Sequence, residues 1–104
     1  MSVAHLDKEA FVRMTAEGTA MVDFWATWCG PCQALLPVIE ELGQELEGSV
    51  KVGKVNVDEN RDLAKAFGVM SIPTVILFKD GKEVERIVGA FPKAHYVAKL
   101  EALK

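Results

Sequence analysis

Apolar and polar positions change their period several times along this chain, and each change marks an element. In "DKEAFVRMTAEG" Phe11 and Met14 recur at helical spacing, Asp7 stands where an N-cap belongs and Gly18 supplies a stop, which predicts a helix over 7–18. "TAMVDFWA" at 19–26 is short, β-branched and aromatic, with little alternation, as expected of a central strand covered on both faces. "PCQALLPVIEELGQELEG" at 31–48 then sets Cys32, Leu35, Leu36, Ile39, Leu42 and Leu46 on one helical stripe, with Gly48 near its end. Pro37 is expected to kink this helix, because it removes an interior hydrogen bond and crowds the preceding turn.

The second half repeats the alternation. "SVKVGKVNVD" reads as a strand, and "ENRDLAKAFG" as a short helix closed by Gly68. "TVILF" and "EVERIVG" flank Asp80-Gly81, a pair that accepts the positive φ values of a tight hairpin turn. In the tail "PKAHYVAKLEALK" Pro92 suits a first helical turn, and Tyr96 or Val97 lines up with Leu100 and Leu103 as a core-facing stripe. A short strand near Val3–Leu6 would complete the series. Strands separated by helices favour parallel pairing and the late hairpin adds antiparallel strands, so the expected fold is α/β: a central mixed sheet with helices on both faces.

At 104 residues the chain fits a single domain over 1–104, and its net charge of −3 is small. No Lys/Arg run builds the basic patch that nucleic acid requires, and no apolar stretch approaches the ~20 residues that span a bilayer. The start shows no basic-then-apolar signal pattern, so the expected setting is the cytoplasm; size and polar balance suit a monomer.

Composition becomes informative at "FWATWCGPC", residues 24–32, where the only cysteines, Cys29 and Cys32, lie together. Zinc would need further ligands, and only His5 and His95 are available, both distant and without a spaced partner, so no metal is expected. A structural bridge between such near neighbours removes little unfolded-chain entropy. Redox exchange, in contrast, gains from the closeness, because the second thiol can attack a mixed disulfide formed by the first in an effectively unimolecular step. Cys29 falls between strand and helix, facing free backbone N–H groups and the positive end of the helix dipole, both of which favour a thiolate. A free thiol is only about 3% ionised at pH 7, so a pKa brought near ambient pH is the useful target. Cys32, a turn further on along the apolar stripe, is expected to be more buried and to act as the resolving thiol. Pro31 suits the first turn and stiffens the link.

Asp23 interrupts the most core-like strand. Burial would raise its pKa and make it a candidate proton carrier, whereas the plain alternative is a strand-end carboxylate bonded to backbone. Lys54 is its candidate partner from a neighbouring strand, or else a surface lysine reaching to solvent. Trp25 reads as core, and Trp28, at the thiol turn, as the residue that shields the site and touches a partner.

Together, W-C-G-P-C at 28–32, "VDFWA", Pro37, "KVNVD", "SIPT", Asp80-Gly81 and Gly89 resemble the thioredoxin family over essentially the whole chain. The resemblance implies a protein-disulfide oxidoreductase, with no bound cofactor beyond the Cys29–Cys32 pair, acting on protein disulfides and recharged by a thioredoxin reductase. It implies that Asp23 assists proton removal from Cys32, that Gly30 and Pro31 tune the redox potential, and that Pro73 is cis. It also implies that Ile72, Pro73, Val88, Gly89 and Ala90 join Trp28 in an apolar surface whose exposed backbone pairs with a substrate strand. Gln33 and Thr27 depart from residues common in relatives and bear on partner preference. An isomerase or oxidase on the same scaffold, and a redox-independent binding module, are the alternative functions.

Overall fold

The structure, a computed structural model, describes residues 3–104. In chain order the elements are β1 (Val3–His5), α1 (Lys8–Thr15), β2 (Thr19–Trp25), α2 (Gly30–Glu45), β3 (Val50–Asn56), α3 (Arg61–Ala66), β4 (Thr74–Lys79), β5 (Lys82–Val88) and α4 (Lys93–Glu101). The sheet runs β1-β3-β2-β4-β5, with β3 parallel to β1 and β2, and β4 antiparallel to β2 and β5. β2 is therefore the middle strand, and its unalternating sequence follows from having helices above and below.

Strand alternation sorts the core into two layers. Met21, Val52, Val75, Leu77 and Ile87 meet Leu35, Ile39 and Leu42 of α2 and Tyr96 and Leu100 of α4 on one face. On the other face Val22, Phe24, Val55, Ile76 and Phe78 meet Phe11 of α1 and Leu63 and Ala64 of α3. There Phe11, Phe67 and Phe78 contact one another edge to face, with centroids 5.2–5.5 Å apart. Gly53 of β3 is needed in this layer, since a Cβ on it would lie 2.6 Å from Leu6 Cδ1 and 3.0 Å from Met14 Sδ.

Boundaries differ from the sequence expectation in a consistent way. Gly18, Gly48 and Gly68 all adopt positive φ, but the helices end earlier, at Thr15, Glu45 and Ala66, and the glycines turn the chain after a short irregular exit. Asp7 caps α1 as expected, accepting the Ala10 N–H at 2.8 Å. Pro37 is accommodated on the solvent side of an unbroken α2. Asp80 and Gly81 make the hairpin turn with φ of 50° and 86°. Tyr96, fully buried, takes the core position in α4, and Val97 turns outward.

Candidate active site

The end of β2 and the start of α2 position the cysteines. Cys29 is the N-cap of α2, with extended backbone, and its Sγ accepts the Cys32 N–H at 3.2 Å while its carbonyl accepts the Gln33 N–H at 3.1 Å. Pro31 occupies the first turn, where no N–H is needed. Cys29 and Cys32 are joined as a disulfide, with Cα atoms 5.2 Å apart. Cys29 retains 5% exposure and Cys32 none, the ordering expected of an outer and an inner thiol. Gly30 is exposed, and a Cβ there would meet no atom within 4 Å.

A series of contacts leads outward from Cys29. Its Sγ lies 3.7 Å from the carbonyl oxygen of Ile72, the Ile72–Pro73 peptide is cis, and the Pro73 carbonyl accepts the Gly89 N–H at 2.8 Å. The structure thus links three separate stretches of sequence at one end of the sheet. Pro73 is buried, Ile72 and Gly89 are half-buried, and Val88 and Ala90 are exposed. Trp28 is 70% exposed, and its Nε1–H donates to Asp58 Oδ2 at 2.8 Å. Trp25 is buried and packs with Ala26 and both cysteines. The side-chain amide of Gln33 donates to the Thr27 carbonyl at 3.1 Å, so those two residues are tied together across the thiol turn.

Beneath this surface Asp23 is fully buried, on the sheet face shared with Met21 and Trp25, and neither carboxylate oxygen has a hydrogen-bond partner among the described residues. The alternative of a strand-end carboxylate bonded to backbone is thereby removed. Desolvation raises its pKa from 3.8 to about 7, opposed by the positive charge of Lys54. Register places Lys54 directly beside Asp23 across β2 and β3. Its ammonium, however, pairs with Glu40 of α2 at 3.5 Å and lies 5.5 Å from the ring centroid of Trp25. Lys54 is buried rather than reaching freely to solvent.

Sequence reasoning did not single out Glu40 or Asp58. Glu40 carries a faint signal, since Cys32, Leu36 and Glu40 follow one another at four-residue spacing along a single ridge of α2. Asp58 follows β3 in a turn, its N–H donating to Asn56 Oδ1 at 2.9 Å, and nothing local points it at Trp28.

Among the described residues no group of three or more His, Cys, Asp or Glu is arranged to hold a metal ion, and no helix is long and apolar enough to cross a membrane. His5 is exposed, and His95 is half-buried and stacked on Phe91.

The thioredoxin family model matches residues 2–102. The chain is 47% identical over 93 residues to a thioredoxin of Bacillus subtilis, covering 89% of each chain. It is 44% identical over 101 residues to one of Staphylococcus aureus, covering 97% of each. Among solved structures, a thioredoxin of Malassezia sympodialis superposes with a TM-score of 0.87 at 33% identity, covering 95% of this chain and 89% of the other. A mutant thioredoxin of Halobacterium salinarum gives 0.86 at 37% identity, with the same 95% and 89% coverage.

Proposed function

The chain belongs to the thioredoxin family and is a protein-disulfide oxidoreductase, and from that premise we propose how its residues divide the reaction. In the reduced protein Cys29 is the nucleophile. The Cys32 N–H that its Sγ accepts, together with the N-terminal dipole of α2, stabilises the thiolate. The Cys29 thiolate attacks one sulfur of a substrate disulfide; a mixed disulfide forms, and the other substrate sulfur departs as a thiolate and is protonated. Cys32 then gives its proton to the Asp23 carboxylate and attacks Cys29 Sγ, forming the Cys29–Cys32 bond and expelling the second substrate thiolate. Two electrons have passed from the dithiol to the substrate, and a thioredoxin reductase returns the pair to the dithiol.

Asp23 suits its part because a carboxyl titrating at about 7 is divided between acid and base at neutral pH, where proton exchange is most effective. Lys54, beside it on the next strand, biases that carboxyl toward ionisation through its charge. Trp28, Ile72, Pro73, Val88, Gly89 and Ala90 form the docking surface, to which an extended substrate segment adds by backbone pairing. Gly30 and Pro31 set the redox potential through the stiffness and dipole of the first turn. One domain, acting as a monomer without bound metal or cofactor, carries all of this. A reducing cytoplasm is the setting in which such a dithiol is kept ready.

The observation that carries the order of attack is the cap itself: Cys29 Sγ stands at the helix mouth, accepting the amide of the very residue whose thiol must later attack it. Cys32→Ser should therefore accumulate a mixed disulfide between Cys29 and a disulfide protein such as insulin. Failure to trap any covalent species, in a variant that retains a free Cys29 thiol, would overturn the assignment.

A further inference from the structure

We infer that Tyr96 positions the docking loop, its hydroxyl serving as the pin that joins α4 to residues 89–91. The inference rests on the docking surface proposed above. The ring of Tyr96 is buried in the layer formed with Val75, Leu77 and Ile87, where a phenylalanine would supply the same apolar volume. The hydroxyl is therefore the part that needs an explanation, because a phenolic oxygen carried into a core is unfavourable unless it is hydrogen-bonded. Here it is bonded on both sides. It donates to the Gly89 carbonyl at 3.3 Å and accepts the Phe91 N–H at 3.2 Å. Burial pushes the phenol pKa above its usual value, so the group remains a donor throughout the neutral range.

Gly89 thereby has both backbone groups engaged, its N–H by Pro73 and its carbonyl by Tyr96. It adopts a φ of 103°, a region open chiefly to glycine, so its conformation depends on those ties rather than on local preference. On the outer side Phe91 stacks on His95 with centroids 4.5 Å apart and an interplanar angle of 20°. Val88, on one side of Gly89, and Ala90, on the other, stay exposed with their backbone set before any substrate arrives. Preorganisation of this kind favours binding by removing the ordering cost of the loop.

The test compares Tyr96→Phe with the unaltered protein, both in the reduced state, on the intact disulfides of a protein such as insulin and on the small disulfide 5,5′-dithiobis(2-nitrobenzoate), which needs the sulfur but little of the surface. The expected result is a fall of about fivefold in the ratio of kcat/KM for protein over small disulfide, carried by KM, as one net hydrogen bond allows. Equal effects on both substrates, or no change in the ratio, would overturn the inference. Val88→Asp separates this failure from failure of the docking surface: a ratio insensitive to Val88→Asp removes the surface, and a ratio sensitive to it but not to Tyr96→Phe removes only the pin. In the unaltered protein the same pin predicts slow hydrogen exchange of the Phe91 amide, and exchange at the rate of an unstructured chain would also refute it.

Discussion

Asp23 and Lys54 occupy the same rung of the sheet, yet among the described residues no hydrogen bond joins them, because the Lys54 ammonium closes on Glu40 at 3.5 Å. The carboxyl keeps its full desolvation penalty, softened only by a charge that is shared with α2. A better bond between the two would hold Asp23 ionised and unable to take a proton at neutral pH. The distribution of charge over Asp23, Lys54 and Glu40 thus leaves a destabilising buried carboxyl that titrates near neutral pH, as the proposed proton transfer requires.

The cost should be visible in unfolding. The folded-state pKa of Asp23, about 7, lies above the ordinary 3.8 that applies in the unfolded chain, so the folded protein binds more protons between those values. Stability must therefore fall as pH rises from the lower value to the upper and level off beyond it. Asp23→Asn removes this dependence and should gain stability across that window, by up to about 4 kcal/mol on its alkaline side. Urea unfolding of both proteins in the same redox state checks this; a pH-independent difference would contradict it.

The charges around Asp23 should move its titration in opposite directions. Lys54 lowers the Asp23 pKa by its positive charge, so Lys54→Met should raise it further. Glu40→Gln removes a negative charge and leaves the ammonium undivided, so it should lower it. Shifts of about 0.5–1 unit are expected for charges that act without contact. Carbon-13 NMR of the Asp23 carboxyl reads them directly, and the pH profile of mixed-disulfide resolution should follow. Shifts of the same sign in both variants would remove the three-residue arrangement.

The sequence shows where along the chain the reactive groups lie better than it shows how far their side chains reach. Cys29 at the mouth of α2, and Trp28 outside with Trp25 inside, follow from period and position; Asp23 beside Lys54 depends on the register between β2 and β3, which alternation leaves open and the structure supplies. The periodicity does not separate Tyr96 from Val97, because neighbours on a helix lie about 100° apart and both border the apolar stripe; the partner for the Tyr96 hydroxyl, which sequence cannot show, lies on another loop. Glu40 and Asp58 act through contacts across 14 and 30 positions, respectively, which no local pattern encodes. Pro73 and Gly89 came from resemblance alone, and the structure joins them by a single backbone bond.

Gly53 supplies a test of the layer beneath the site. A Cβ at this buried strand position meets Leu6 Cδ1 at 2.6 Å, so Gly53→Ala should destabilise by about 1–3 kcal/mol through overpacking. Leu6→Ala opens the space, so in that background the same change should cost much less. Additive effects of the two substitutions on the urea midpoint would show that the clash is relieved elsewhere.

The bond from Trp28 to Asp58 should set how the docking surface meets a substrate. Trp28 is largely exposed, so few contacts other than its 2.8 Å bond to Asp58 restrain the indole, and that bond to a carboxylate is worth about 1.5–3 kcal/mol at most when shielded and less at the surface. Asp58→Ala should leave global stability within about 0.5 kcal/mol, because nothing buried depends on it. It should nevertheless free the indole, lowering the fluorescence anisotropy contributed by Trp28 while that of buried Trp25 persists. The kcat/KM for a protein disulfide should fall about threefold, since ordering the side chain must then occur on binding. Asp58→Asn, which keeps an acceptor oxygen, should recover most of that loss. A freed indole with undiminished kcat/KM would show that Trp28 meets substrate in whatever orientation it finds, and that Asp58 has no part in recognition.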